Sequence, residues 1–468
     1  MSPGHRIVDW DPEDTVAWEA GNKTIARRNL ICSVIADHAA FSIWSIWSVL
    51  VLFMPESVYG FSSGDKLLLG AVATLVGGCV RIPYTLGITR FGGRTWTTFS
   101  ALVLLIPTAG TIGLLANPGL PLWPYLVCAG LTGLGGGNYT ASLTNINAFY
   151  PQRRKGWALA VDAGGANLGV AVIQLVGLLV LAVAGDRQPY WVSAFYLVLL
   201  AVAGITAALL MDDLDHSIEL GDYRSLLSDF HAWVISVIYI GAFGSFIGLA
   251  FAFGRVLYIN FQAGGQTAAA AALHVAQVAF VGPLLGSLAR VYGGRLADRV
   301  GGSRVTLAVF AGMIGAAALL VAVSIHGERT PGPATGAAMA GYVIGFVALF
   351  ILSGMGSGSV FKMIPSIFEA RSRSLDVSST MTAAERRHWA RAMSGALLGF
   401  AGAVGALGGV AINLGLRQSY AATGEATAAL WFFLAYYVVA GIVTWAVYVR
   451  RPALAGSGTA PESTAARL

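Results

Sequence analysis

Two arginines stand where a chain has little reason to place a charge. Arg81 lies in GGCVRIPYTLGITRFGGR, with nothing charged before it as far back as Lys66 and nothing after it until Arg90. Arg290, in GPLLGSLARVYGGRLADRVGG, is similarly isolated on its N-terminal side back to Arg255, His274 aside. A guanidinium keeps its charge at any ordinary pH, and its planar fork makes paired bonds to oxyanions, so two of them could clamp a small anion. A cation at the centre of a membrane costs about 2.5–3.5 kcal/mol on insertion scales, so such residues persist only for a reason. The two positions are 209 residues apart, and so are the glycines of the FGGR and VGGSR that follow them. Gly77 and Gly78 precede the first arginine by one turn, and Gly286 and Ser287 precede the second. Positions four and three back share a helix face with the arginine, so each guanidinium projects from a stripe of small residues. The alternative for each is a carbonyl or carboxylate partner within the helices, or a side chain that reaches the membrane surface. Three more groups could carry charge or protons. Asp37, beside His38, could neutralise a cation, carry a proton or sit in a wet vestibule; Asp162 is a second acid, in the fifth span; Lys362, near a span end, can extend toward the surface.

The elements that hold these residues are membrane helices. The chain is 56% hydrophobic and 11% charged, with a mean hydropathy of +0.69, against roughly 25% charged for soluble domains, which excludes a soluble multidomain enzyme. Apolar runs long enough to cross about 30 Å of hydrocarbon recur along the whole sequence. They fall near 30–54, 67–89, 95–116, 121–149, 157–184, 190–211, 231–258, 271–294, 303–326, 335–363, 392–416 and 427–449. The expected fold class is therefore an all-α polytopic membrane protein with twelve transmembrane helices. Basic residues favour cytoplasmic loops. Lys23, Arg27, Arg28, Arg90, Arg94, Arg153, Arg154, Lys155, Arg224, Arg295, Arg299, Arg304 and the basic residues of 364–390 fall on one side. Lys66, Arg187, Arg255, Arg329 and Arg417 fall on the other, which predicts both termini in the cytoplasm. The net charge of +6 and pI near 9.3 follow this loop asymmetry and do not point to nucleic acid.

The expected organisation is a cytoplasmic N-terminal segment, 1–29, a six-helix bundle, 30–211, a charged connector, 212–230, a second six-helix bundle, 231–449, and a disordered tail, 450–468. The first 29 residues are polar and contain no signal peptide, so the first span targets the chain. Cys32, Cys79 and Cys128 have no ligand spacing and read as apolar fillers; no metal, cofactor or catalytic set is expected. Asn22 and Asn138 match the glycosylation pattern by chance, one on the cytoplasmic side and one within a span. Glycine, at 59 residues, clusters in spans four, five, ten and eleven. Small residues at helical spacing let membrane helices approach closely; Gly164, Gly165, Gly402 and Gly405 are candidates for surfaces that slide as one half moves against the other.

The residues also carry a family resemblance. A parallel repeat of two six-helix halves is the plan of the major facilitator superfamily, whose sites lie near mid-membrane between the halves, and GGRLADRVGGSR resembles its loop motif. GGGNYTASLTNINAFYPQRRKGWALAVDAGGANLGV and SGALLGFAGAVGALGGV resemble the two nitrate signatures of the bacterial nitrate/nitrite porters, the NarK-like branch. WDPEDTVAW, VRIPYT and YIGAFGSFIGLAFAFG extend the similarity along nearly the whole chain. The resemblance implies a fold of two pseudo-symmetric halves in the bacterial cytoplasmic membrane, acting as a monomer on nitrate and nitrite without a cofactor. It implies that Arg81 and Arg290 clamp the anion, that Tyr239 hydrogen-bonds it, and that Asn167, Tyr139 and Phe243 border it. It favours exchange of nitrate for nitrite, with proton symport through Asp37 or Asp162, or transport of another small anion, as alternatives. Two positions depart from the pattern: Asp162 stands where the motif often has Asn, and Lys362 where a neutral residue is common. They are a candidate compensating pair or titratable element.

Overall fold

In the computed structural model, residues 5–184, 188–214, 220–330, 335–374 and 381–450 are described. The 450–468 tail beyond Arg450, Arg187, and parts of the connector and of the 364–390 segment lie outside them. Helix α1 (Lys23–Trp44) ends where Ser42 and Ser45 turn their hydroxyls onto the carbonyls of His38 and Phe41, a bond that bends helices. Short turns at Trp47–Leu50 and Val51–Phe53 continue the segment. Next come α2 (Ser63–Cys79), α3 (Arg81–Phe91), α4 (Gly93–Val103), α5 (Leu105–Leu115) and α6 (Leu122–Thr132). A tight turn at Gly133–Gly136 leads to α7 (Asn138–Phe149), then α8 (Gln152–Ala184) and α9 (Tyr190–Leu210). The second half runs α10 (Phe230–Tyr239), a π-helical turn Ile240–Gly244, α11 (Ser245–Ala263), α12 (Ala268–Ala279), α13 (Val281–Val300), α14 (Gly302–Arg329), α15 (Gly336–Ser374), α16 (Ala383–Thr423) and α17 (Thr427–Thr444).

Proline sets three of the joints. It lacks the N–H that would bond the carbonyl four residues back, and its ring crowds that carbonyl. Counting four back from Pro83, Pro107 and Pro283 gives Cys79, Val103 and Ala279, the last residues of α2, α4 and α12. The first joint bends the chain by 43° and makes Arg81 the first residue of α3.

Among the described residues, nine helices are long and apolar enough to cross a membrane, or ten when the bent α2–α3 pair counts as one. The other two expected spans, α1 and α6–α7, are broken by the serine-rich bend and the glycine turn. The expected loop 364–390 needs correction: α15 continues to Ser374 and α16 begins at Ala383. Their charged ends are helix extended past the apolar stretch.

The repeat seen in the sequence extends to the backbone. Gly92 ends α3 with φ 89° and Gly301 ends α13 with φ 101°, a left-handed conformation that glycine adopts without steric cost. The N-terminal segment is tied down rather than loose. Arg6–Ile7 forms strand β1, parallel to β2 (Asp213–Leu214), Trp18 is 1% exposed, and the Trp10 Nε1–H donates to the Phe149 carbonyl at 3.3 Å.

The halves meet where α8 crosses α13 and where α2 and α3 lie on α16. Small residues permit the first crossing: a Cβ on Gly294 would stand 2.5 Å from the Gly156 carbonyl. Within the second half, a Cβ on Gly286 would be 2.6 Å from the Phe350 carbonyl. Gly286→Ala should therefore destabilise the protein by about 1–3 kcal/mol, as overpacking does. Gly315→Ala, with nothing within 4 Å, should be neutral or gain up to about 1 kcal/mol of helix propensity. Thermal midpoints in detergent will separate the two; equal shifts would contradict the packing.

Candidate functional site

Arg81 and Arg290 are 0% exposed, and they converge on one block of aromatic rings. The α2–α3 bend turns Arg81 inward. Its Nε–H donates to the Gly136 carbonyl at 3.1 Å, and Nη1 donates to the Gly402 carbonyl on α16 at 2.6 Å. Arg290, on α13, donates from Nη2 to the Tyr239 hydroxyl at 3.0 Å. That leaves Nη2 of Arg81, and Nε and Nη1 of Arg290, buried with no hydrogen-bond partner. Among the described residues no carboxylate lies within ion-pair reach of either guanidinium. Neither arginine reaches the surface of the protein.

What they have instead is aromatic surface. Tyr139 and Phe243 stack at 5.4 Å, and both guanidiniums sit over both rings. The Arg81 Cζ is 4.9 and 4.8 Å from the two centroids, and that of Arg290 is 5.5 and 5.7 Å away. Trp44 lies 5.3 Å from Arg81, and Phe361 4.8 Å from Arg290. A desolvated cation–π contact contributes about 2 kcal/mol, so several together offset the cost of a buried cation. The π-helical turn after Tyr239 gives the wall its register, placing Phe243 parallel to Tyr239 at 5.2 Å with 3° between the planes. The Tyr139 and Tyr239 hydroxyls are 3.1 Å apart. The arrangement thus offers free N–H groups from two cations, two hydroxyls and flat apolar walls. That set suits a small, planar, singly charged anion.

The other expected residues are distributed as follows. Asn167 is 0% exposed, and neither end of its amide has a partner. Gly402 supplies the carbonyl that binds Arg81, and a Cβ on Gly405 would press on the Tyr239 ring at 2.6 Å. A Cβ on Gly164 would meet the Ser287 carbonyl across the halves at 3.0 Å, and one on Gly165 would meet Val34 at 2.5 Å. Asp37 accepts from Asn138 Nδ2 at 2.6 Å, and Asp162 from the Ser142 hydroxyl at 2.7 Å. Lys362 corrects an expectation. It does not pair with Asp162 but with Asp298, at 3.1 Å, and donates to the Gln152 carbonyl at 2.8 Å. Asp298 also accepts the backbone N–H of Trp157 at 2.8 Å. The reason is depth: Asp162 lies ten residues beyond Gln152 on α8, about 15 Å further along a helix, whereas Lys362 points to the end of the bundle that carries the basic residues.

Sequence reasoning missed Phe361, Trp44 and the carbonyls of Gly136 and Gly402. Phe361 was within view, in the glycine-rich SGMGSGSVFKMIP immediately before Lys362; nothing local marks Trp44.

Comparison with known proteins decides the family. The sequence profile of the Major Facilitator Superfamily matches residues 38–385. The nitrate/nitrite transporters NarU of Salmonella typhimurium and Escherichia coli are each 35% identical over 95% of this chain and 96% of their own. The chain belongs to the nitrate/nitrite porter family of the major facilitator superfamily. A further relative, the "Probable nitrate/nitrite antiporter NarK2" of Thermus thermophilus, is 29% identical over 96% of this chain and 98% of its own. The crystal structure of the E. coli fucose:proton symporter FucP superposes with a TM-score of 0.59 at 12% identity, covering 89% of this chain and 98% of that one, which shows the fold. This porter is a multi-pass membrane transporter whose paired arginines stand between its halves, where the superfamily places its sites.

The reassigned lysine gives a test. In thermal unfolding, Lys362→Met and Asp298→Asn should be coupled by about 0.5–3 kcal/mol, whereas Lys362→Met and Asp162→Asn should add within about 0.5 kcal/mol. Coupling only in the second pair would restore the sequence expectation.

Proposed function

We propose that this chain carries nitrate and nitrite across the bacterial cytoplasmic membrane by alternating access, taking in nitrate as nitrite leaves. The observation that carries the reading is the pair of buried guanidiniums over one aromatic block, with three N–H-bearing nitrogens left unbonded. Nitrate and nitrite are planar, singly charged and weakly hydrated, so guanidinium forks and ring faces can replace their water at small cost. The names of the NarU and NarK2 relatives support the same cargo. Exchange follows from charge. With two cations facing each other, a bound anion relieves repulsion, so the halves close more readily around cargo than without it. The crowding of Arg90, Arg94, Arg153, Arg154 and Lys362 at one end supports a cytoplasmic placing of that end and of both termini. A monomer is the working unit in this reading.

Counterflow in reconstituted vesicles, nitrite inside and labelled nitrate outside, tests this. Wild type should exchange at a rate indifferent to an uncoupler. Arg81→Lys and Arg290→Lys keep the charge but lose the fork, and each should reduce nitrate counterflow by about tenfold or more, equivalent to 1.4 kcal/mol. Full activity in Arg81→Lys would sink the clamp. Tyr239→Phe removes the hydroxyl that orients Arg290 and should raise the half-saturating nitrate concentration roughly two- to twelve-fold, the effect of a hydrogen bond of about 0.5–1.5 kcal/mol.

A further inference from the structure

Residues 5–22 lie as a strap over the basic end of the bundle, and neither the anion site nor the exchange reading uses them. The bonds that anchor this strap are to the first half. β1 pairs with β2, directly after α9, and the His5 Nδ1–H donates to the Met211 carbonyl at 3.0 Å. Trp10 meets Phe149 edge to face at 5.3 Å, and Trp18 meets Tyr150 in the same way at 5.7 Å. Glu13 accepts the backbone N–H of Gln152 at 2.6 Å, at the first turn of α8, where the helix dipole favours a carboxylate. Contact with the second half runs through one side chain. Arg391, on α16, donates from Nη1 to the Trp10 carbonyl at 3.5 Å and from Nη2 to Asp11 Oδ1 at 3.4 Å. Among the described residues these are its only hydrogen-bond partners. The same Asp11 oxygen accepts the N–H of Glu13 at 3.0 Å, which fixes its direction.

Like charges from the two halves meet at this place. Lys155 of α8, 7% exposed, stands in the field of Arg391 and Lys362, both of the second half. Cations facing each other across a seam repel, and the more so where water is scarce. Asp298 matches Lys362. The strap matches the other two: Asp11 and Glu13 lie in the field of Arg391, and Glu13 lies in that of Lys155, with Glu369 of α15 beside both. The repeat explains why a strap is needed on one side only. At the α8–α13 seam the carboxylate is Asp298 of α13. The residue 209 positions before it is Thr89 of α3, an uncharged side chain whose hydroxyl bonds the Leu86 carbonyl of its own helix. At the seam of α16 with α3 and α7, the carboxylate comes from the strap.

We infer that the N-terminal strap is a latch: it rides on the first half, holds the second through Arg391, and must let go before the cytoplasmic end can open. This rests on alternating access and on the cytoplasmic placing of that end, and not on which anion is carried. In this structure the end is shut. Thr144 of α7 is 2% exposed, and its hydroxyl is 3.4 Å from the Gly395 carbonyl, one turn beyond Arg391 on α16. Opening at that seam carries Arg391 away with α16, while the β1–β2 pair, the two tryptophans and Glu13 keep the strap on the first half. The Arg391 and Asp11 side chains are already 27% and 44% exposed, so water replaces their bond readily when they part. The latch therefore biases the carrier toward the state closed at the cytoplasmic end without locking it there.

The test uses vesicles containing the full chain with Cys32→Ser, Cys79→Ser and Cys128→Ser as the parent. Thr144→Cys in that parent reports opening, through its alkylation by a membrane-impermeant maleimide supplied from the cytoplasmic side. Asp11→Asn and Arg391→Gln should each speed the alkylation about two- to fivefold, the effect of an exposed ion pair. The two together should speed it no further, and the exchanged pair, Asp11→Arg with Arg391→Asp, should return it toward the parent rate. Separately, Asp11→Cys with Arg391→Cys, joined by a short reducible cross-linker, should stop nitrate counterflow until reductant is added. Glu13→Cys with Gln152→Cys, joined in the same way, should leave counterflow running, because both residues belong to the first half. Unchanged alkylation in both single variants, additive effects in the double variant, or counterflow with positions 11 and 391 joined overturns the latch. Absence of counterflow in the wild type removes the cargo reading alone, and the alkylation rates still decide the strap.

Discussion

Two guanidiniums held away from water over a shared aromatic block are the constraint on which this porter depends. Neither can lose its charge at ordinary pH, and among the described residues neither has a carboxylate in contact. The fold therefore supplies what partial compensation it can: carbonyl dipoles from Gly136 and Gly402 for Arg81, the Tyr239 hydroxyl for Arg290, and ring faces for both. Local irregularities serve this end. The proline joint turns Arg81 inward at the start of α3, the Gly133–Gly136 turn exposes a carbonyl to it, and the π-helical turn sets Phe243 under both cations. Each breaks a regular helix where a regular helix would have aimed the group elsewhere. Irregular backbone at membrane depth is tolerated where it is buried in protein.

The contacts between the halves are of two kinds, at different depths. Near the arginines they are glycine against backbone or a small side chain, as at Gly164 against Ser287 and Gly402 against Thr140, surfaces with little side chain to interlock. At the basic end they are polar: Asp298 joins Lys362 of its own half to the first turns of α8, and Asp11 of the N-terminal segment lies 3.4 Å from Arg391 on α16. Such bonds exchange readily for water when a seam opens, whereas interlocked apolar side chains would not. The chemistry of the seam thus matches a carrier whose halves must separate at one end and remain in contact at the other.

Two buried acids stand one step away from the arginines. Asp37 and Asp162 lie close enough to the arginines to be felt through the low dielectric, yet each is bonded to α7 and not to a guanidinium. Direct salt bridges would have cancelled the attraction for an anion. Bonding the acids to α7 leaves guanidinium N–H groups of both arginines free.

The sequence by itself determined the class of protein, the repeat and the unusual charges. Hydropathy must mark the spans because the bilayer admits no unpaired backbone, and an arginine within a span is conspicuous for the same reason; the 209-residue repeat was legible because glycine is demanded at Gly92 and Gly301 by backbone conformation. Helix ends were less legible, since α15 and α16 continue past the apolar stretch on residues that are polar but still favour helix. Partners were not legible at all. Whether Lys362 met Asp162 or Asp298, that Trp44 and Phe361 would join the aromatic block, and that Asn138 and Ser142 would bridge two acids on separate helices were decided only by tertiary structure. Side-chain reach and depth along neighbouring helices depend on how those helices cross, and no spacing along the chain encodes that crossing in a form that can be read directly.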